Sequence, residues 1–305
     1  MSRQTNTDEI ARGSINGGGG LGVVGGGTTL FEMQAALIPD ESKFKYESAR
    51  KLARTVEKTF NSGTADQYFL HFHGVEDHEF DRIERELGRV QLRNSVRFTF
   101  ENALDAAIIR ITPGPEHSRV GINLYCEIID KIASTPGHSR RSVEGSGATL
   151  FQVPGIRSKE GDESFLPRTR VGMSAWPSVM MEVGYAGRED FLRLDAQWWL
   201  INSAGRTRFV ILVFVTKNPL ALGIECWSMA GSSGPESRQT ALGVPTCVDN
   251  FNIDSFGNVK SLLGSTELRI PYTDIFDQHH GDAEDVIFSL DELSEFALRR
   301  YQMMI

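Results

Sequence analysis

Two carboxylates stand where side-chain chemistry could be done. Asp162 lies in Lys159-Glu-Gly-Asp162-Glu-Ser-Phe165, and Glu182 follows the apolar stretch of Pro177-Ser-Val-Met-Met-Glu182-Val183-Gly184. On adjacent strands their oxygens could converge on one hard cation, Mg²⁺ or Mn²⁺, which takes oxygen ligands in octahedral geometry and keeps several waters. The backbone carbonyl of Val183 would complete the protein ligands. Such an ion activates a water and neutralises charge developing on a phosphodiester oxygen, so hydrolysis of a nucleic-acid backbone, DNA or RNA, is the chemistry to expect. A competing reading needs no ligand: Glu182 is an ordinary strand-end carboxylate and Asp162 a turn former before Ser164.

Other chemistry-bearing clusters are weaker. His71-Phe-His73-Gly-Val-Glu76-Asp-His78-Glu79 is rich in zinc-type ligands but lacks a metal-site spacing, since His71 and His73 share a face only on a strand while Glu76 to Glu79 reads as a helix start. Gly20-Leu-Gly22-Val-Val-Gly25 satisfies GxGxxG without a strand before it or an amphipathic helix directly after it, so the dinucleotide context is missing. His279-His280 falls in the acidic stretch Asp274 to Asp285 and reads as a solvated loop. Trp198 and Trp199 suit base stacking, but a helix between strands usually buries such residues.

The elements around the acidic pair follow from hydrophobic periodicity. Val96-Arg-Phe98-Thr-Phe100 and Ala106-Ala-Ile-Ile109-Arg-Ile111 predict two strands, stopped by Thr112-Pro-Gly-Pro115. Val120, Leu124, Ile128 and Ile132 predict an amphipathic helix over 116–134, closed by Pro136-Gly137. Strands are expected at 148–153, 160–165 and 178–183. A helix from Arg188 carries an apolar stripe at Phe191, Leu194, Trp198 and Ile201 and stops at Gly205. Phe209-Val-Ile-Leu-Val-Phe-Val215 is a continuous apolar run of strand length, as in a strand covered on both faces. Further strands are expected at 222–229 and 267–270, and Ser289-Leu-Asp-Glu292 is a capping box opening a last helix. The order of elements makes the chain an α/β protein.

Composition bounds the rest. The chain has 305 residues, 40% of them apolar and 24% charged, which is ordinary globular composition. No apolar run reaches the roughly 18 residues of a membrane span, and Met1 to Asp8 lacks a signal-peptide core, so an intracellular protein, cytoplasmic or nuclear, is expected. Cys126, Cys226 and Cys247 have no CxxC spacing and suggest neither a disulfide framework nor a thiolate zinc site. A net charge of −8 argues against nonspecific coating of nucleic acid, although residues 137–170 reverse the balance with Arg140, Arg141, Arg157, Lys159, Arg168 and Arg170 against four acids. Residues 1–45, with Gly17 to Gly20 and Gly25 to Gly27, read as a flexible Gly-rich tail, and 46–95 as a helical lead-in.

Taken in order, Ile109-Arg-Ile-Thr-Pro113 with His117, Lys159-x-x-Asp162-x-Ser164-Phe165, Pro177-x-Val-x-x-Glu182-Val-Gly184-Tyr185, Asp195-Ala-x-Trp198-Trp199-Leu200 and Ile211-Leu-Val resemble fungal members of the PD-(D/E)XK nuclease superfamily. The likeness spans roughly residues 96–300. It implies a restriction-endonuclease-like core over 96–305, a mixed central sheet flanked by helices, with Asp162 and Glu182 as the acidic pair of a Mg²⁺-dependent nuclease. It equally admits a catalytically inactive fold serving as a binding or interaction module. Two positions depart from the nuclease pattern. Gly184 stands where a lysine usually follows the second acid, leaving Lys159, Lys217 and Arg193 as substitutes; a guanidinium stays protonated, so Arg193 would stabilise charge rather than act as a base. In the first helix, where a His-Glu pair is expected, His117 is followed by Ser118 and preceded by Glu116.

Overall fold

The computed structural model describes residues 23–24, 28–63, 67–114, 116–170, 172, 175–230, 243–278 and 284–302. The GxGxxG segment and His279-His280 lie largely or wholly outside these. Val23–Val24 (β1) pairs with Thr28–Thr29 (β2). The body is a mixed α/β fold built on two mixed sheets. In the six-stranded sheet the spatial order is Lys43–Lys45 (β3), Tyr68–His73 (β4), Ala106–Ile111 (β6), Val96–Glu101 (β5), Arg157–Glu160 (β9) and Leu150–Val153 (β8). In the seven-stranded sheet it is Val259–Ser261 (β15), Pro245–Ile253 (β14), Leu220–Met229 (β13), Phe209–Lys217 (β12), Val179–Tyr185 (β11), Glu163–Pro167 (β10) and Val143–Glu144 (β7). Only β3–β4 and β11–β12 run parallel within these two sheets. A hairpin-like pair, Glu267–Ile270 (β16) and Val286–Ser289 (β17), completes the strands.

Side-chain alternation stacks these sheets into layers. On β6, Ala107, Ile109 and Ile111 face Ala49–Ser62 (α2) and Phe80–Arg89 (α3). Ala106 and Ile108 face the opposite way, toward Leu30–Ala36 (α1) and Glu189–Asn202 (α5). On β11, Met180 faces the same α5 layer, whereas Val179, Met181, Val183 and Tyr185 face Glu116–Ser134 (α4) and Leu290–Tyr301 (α7). Helix α5 is thus sandwiched between the two sheets, and Phe69 of β4 stacks on its Phe191 with ring centroids 3.8 Å apart. Strand β12 meets the expectation for a doubly covered strand, since Phe209 to Val215 are all buried and alternate between the two cores. The short Tyr272–Ile275 (α6) brings the described helices to seven.

Three differences from the sequence reading have physical causes. Residues 30–45 belong to the fold rather than to a tail: Thr29 and Glu32 form a capping box that starts α1, and Leu30, Phe31 and Ile38 are buried in the middle layer. The 46–95 segment also contributes β4, which pairs with β6, so the expected boundary at 95/96 falls inside one sheet. The single strand expected over 160–165 is two strands in different sheets, β9 and β10, with Gly161-Asp162 as the crossing between them. Gly161 permits this because a Cβ there would lie 2.1 Å from the Met180 methyl and 3.2 Å from the Trp199 ring. Among the described residues, no helix is long and apolar enough to cross a membrane.

Phe31 tests whether residues before 46 belong to the core. Phe31→Ala is expected to lower the free energy of urea unfolding by about 3–5 kcal/mol, as for other buried aromatic truncations. An unchanged denaturation midpoint would show that α1 adds nothing to the middle layer.

Candidate functional site

The same alternation that aims Ala106 and Ile108 at α5 aims Arg110 there, and the alternation on β11 aims Glu182 at it from the other sheet. They meet: Arg110 Nη2 donates to Glu182 Oε2 at 2.9 Å and lies 2.8 Å from Asp162 Oδ2. Arg110 Nη1 is 3.7 Å from Asp195 Oδ2 on α5. The second Glu182 oxygen, Oε1, accepts from Trp199 Nε1 at 2.7 Å. Asp162 and Glu182 therefore converge, as their sequence positions suggest, but upon a guanidinium from strand β6.

Lysine, amide and imidazole groups extend this cluster. Lys159 Nζ lies 2.7 Å from Asp195 Oδ1 and 3.0 Å from Thr99 Oγ1, and Gln34 Nε2 donates to Asp195 Oδ1 at 2.6 Å. Val183 N donates to Asp162 Oδ2 at 2.9 Å. His117 Nε2 sits 2.7 Å from the Val183 carbonyl and 3.1 Å from Asp162 Oδ2; both neighbours are acceptors, so this nitrogen carries the proton. Arg97 Nε donates to the Gly161 carbonyl at 3.0 Å and lies 3.1 Å from Asp162 Oδ1. Arg97, His117 and Asp162 reach a surface cavity of about 190 Å³ beside Ser118 and Glu163.

Burial and charge pull these groups in opposite directions. Burial alone would raise the Asp162 carboxyl, but Arg110, His117 and Arg97 outweigh it and hold Asp162 well below the usual carboxylate range. For Glu182 burial wins: its carboxyl is pushed up to about 7, since Arg110 and Lys159 compensate incompletely while Asp162 and Asp195 add repulsion. Burial works against the charge of Arg110, yet the three carboxylates around it raise its affinity for the proton further.

The residues present do not fit a bound Mg²⁺ or Mn²⁺. Arg110 occupies the position between the carboxylates that a shared cation would take, and both Glu182 oxygens accept hydrogen bonds from protein donors. The Val183 carbonyl, expected as a third ligand, faces His117, and Arg97 adds a positive charge beside Asp162. Among the described residues no group of three or more His, Cys, Asp or Glu could hold a metal ion, which also covers the His71 to Glu79 cluster. His71 and His73 do lie on strand β4, but Glu76 to Glu79 continues as a loop and one 3-10 turn.

The place of the usual lysine is filled as well. Gly184 is buried, and a Cβ on it would lie 2.9 Å from the Leu192 methyls and 3.2 Å from Gln67 Oε1. Of the substitutes, Lys159 joins the cluster through Asp195. Arg193 does not; it turns to Glu225, with Nη2 to Oε1 at 2.7 Å, and to Asp190. Lys217 lies 3.8 Å from Glu116, five residues along β12 from Leu212, the register partner of Glu182. Sequence reasoning passed over Arg110, Asp195, Gln34 and Gln67. The signal for the first two was their setting: a charge inside Ala106-Ala-Ile-Ile-Arg-Ile111, and an acid among the apolar residues of α5, each needing a buried partner. Trp198 and Trp199 pack in the core, with Trp199 also donating to Glu182.

No protein-family model and no curated protein matches the chain.

Removing Arg110 would leave two buried carboxylates without their shared partner. Arg110→Met is expected to destabilise the fold by about 3–5 kcal/mol in urea titration, whereas joint replacement of Arg110, Asp162 and Glu182 by apolar residues of similar volume should recover most of that loss. The second titration concerns pH. The folded-state value for Glu182 lies above the ordinary 4.5, so its stabilising contribution is complete below about pH 4.5 and is lost as pH rises through about 7. Glu182→Gln should remove this component from the stability–pH profile measured between pH 5 and 8. An identical slope in variant and parent would refute the assignment.

Proposed function

We propose that the chain is a PD-(D/E)XK-like fold whose acidic pair has become an internal ion-pair hub, and that it works as a binding module rather than as a metal-dependent nuclease. The succession α4, β7, β10, β11, α5, β12, interrupted after β7 by β8 and β9 of the other sheet, supports the fold reading, with β10–β11 antiparallel, β11–β12 parallel, and α4 and α5 on opposite faces of β11. The observation that carries the functional reading is the Arg110 guanidinium bridging Asp162 and Glu182. A cationic side chain delivered from the protein's own sheet supplies the charge that an ion would otherwise supply to the pair. Unlike an ion, it brings no water to activate and leaves no ligand position open to a phosphodiester. The packing of Leu192 and Gln67 against Gly184 points the same way, because it leaves no room beside Glu182 for a lysine to position a nucleophile.

Incubation of the purified chain with labelled single- and double-stranded DNA and RNA in Mg²⁺ or Mn²⁺ is expected to leave every substrate intact, and neither ion should shift the melting temperature. Cleavage that Asp162→Ala or Glu182→Ala abolishes would restore the nuclease reading. Gly184→Lys is expected to confer no cleavage and to destabilise the fold by about 1–3 kcal/mol through overpacking, read from the urea midpoint.

A further inference from the structure

The outer edge of the seven-stranded sheet is left open. Strand β15 pairs with β14 through Phe251–Ile253, and no other described strand pairs with its far side. The register fixes which backbone groups are free. Leu262 N donates to the Asn250 carbonyl at 2.7 Å and Asp254 N to the Asn258 carbonyl at 3.1 Å, so the even-numbered residues turn their N–H and C=O groups toward β14. Val259 and Ser261 turn theirs outward.

Apolar side chains concentrate along this edge. Of the ten large hydrophobic side chains exposed among the described residues, six lie in or beside β14, β15 and α7: Val244, Val248, Phe256, Leu262, Leu263 and Leu298. Phe256 is 82% exposed, yet the turn that carries it is firmly built. Asp254 Oδ1 accepts from Phe256 N and Asn258 N at 2.9 Å each, and Oδ2 accepts from Asn258 Nδ2 at 2.8 Å. Gly257, at φ 83°, sits so close to α7 that a Cβ would lie 2.6 Å from Ser294 Oγ and 2.9 Å from a Leu298 methyl. An aromatic side chain held in water by a fixed turn has the character of an interface anchor, because little ordering entropy remains to be lost on contact. Charge is scarce here. Across residues 244–266 the charged side chains are Asp249, Asp254 and Lys260, and Asp249 accepts from Ser265 Oγ.

We propose that this edge is a self-association surface, at which two copies of the chain pair their β15 strands antiparallel about a two-fold axis at Ser261 and join their seven-stranded sheets. The proposal is independent of how the acidic pair is read. Free N–H and C=O groups call for a strand as partner, and apolar flanks with one unengaged charge call for a strand of the same character. A second copy supplies both, since a two-fold contact presents one patch to itself. On this axis the two Ser261 residues exchange backbone bonds, as do Val259 and Leu263 of opposite copies. Lys260 then falls opposite Leu262 rather than the other Lys260, and its side chain stands on the sheet face, not across the seam. The six side chains offer roughly 500 Å² of apolar surface, taking about 150 Å² for each when fully exposed. With the paired backbone this approaches the roughly 600 Å² per partner of a weak, reversible complex. A lipid surface fits less well, because the free backbone groups of the edge would find no partner in hydrocarbon.

Sedimentation velocity of the intact 33.9 kDa chain, from about 1 to about 200 µM, tests the proposal. A reversible monomer–dimer equilibrium is expected, with a dissociation constant on the order of 10 µM, as for small transient interfaces. Phe256→Asp alters an exposed position, and Ser261→Pro removes an outward N–H that β14 does not use, the kind of edge position where proline is tolerated. Each should weaken the dimer at least tenfold, with the circular dichroism and melting temperature of the dilute monomer unchanged. Should Ser261→Pro disturb the fold, Phe256→Asp decides alone. Leu104→Ser, which removes an exposed apolar side chain next to β5 of the other sheet, should dimerise like the parent. A chain that stays monomeric throughout, or a dimer indifferent to Phe256→Asp, would overturn the proposal. So would species that keep growing beyond the dimer, or monomer that co-sediments with neutral phosphatidylcholine vesicles.

Discussion

The guanidinium of Arg110 is the interaction on which the interior depends. Strand β6 carries it into the buried layer between the sheets, and its charge is met there by Asp162, Glu182 and Asp195, which arrive from three other parts of the chain. A buried cation of this kind imposes register: sliding β6 or β11 by one residue would turn Arg110 or Glu182 to the opposite face and bury an unpaired charge. The contact therefore links the six-stranded sheet, the seven-stranded sheet and the helix between them in one geometry.

That role changes the meaning of the acidic pair. In a metal-dependent hydrolase, two carboxylates are held close at the expense of their mutual repulsion, and an exchangeable ion relieves it while keeping positions open for water and substrate. Here a covalently attached cation relieves the repulsion. A single nitrogen, Arg110 Nη2, meets both Asp162 Oδ2 and Glu182 Oε2, and the guanidinium cannot give up its proton. The remaining imbalance falls on Glu182, whose raised proton affinity comes first from its burial, offset incompletely by Arg110 and Lys159, and then from the repulsion of Asp162 and Asp195.

Much of the local architecture was legible beforehand. The helix over 116–134 has the bounds its Val120, Leu124, Ile128 and Ile132 spacing predicts, Phe209 to Val215 is a doubly covered strand, and Ser289 and Glu292 close the expected capping box. Asp162 and Glu182 could be singled out and their convergence anticipated. Less visible were short elements: β4, six residues long, was read within the charged helical stretch around it, and α1 was absorbed into the Gly-rich segment that precedes it.

By itself, then, the sequence determined periodic elements, capping and a short set of chemically eligible residues, since those depend on neighbours a few positions away. Only the tertiary structure decided what the eligible residues face. Arg110 lies 72 residues before Glu182, on a strand of another sheet, and nothing within either segment states that they meet. The split at Gly161-Asp162 is of the same kind, because one apparent strand divides between two sheets according to what packs against Gly161. Sheet order and layer assignment depend on apolar and charged contacts made across the whole chain. Asp162 and Glu182 came to hold a side chain rather than an ion through that global requirement, which no local pattern encodes.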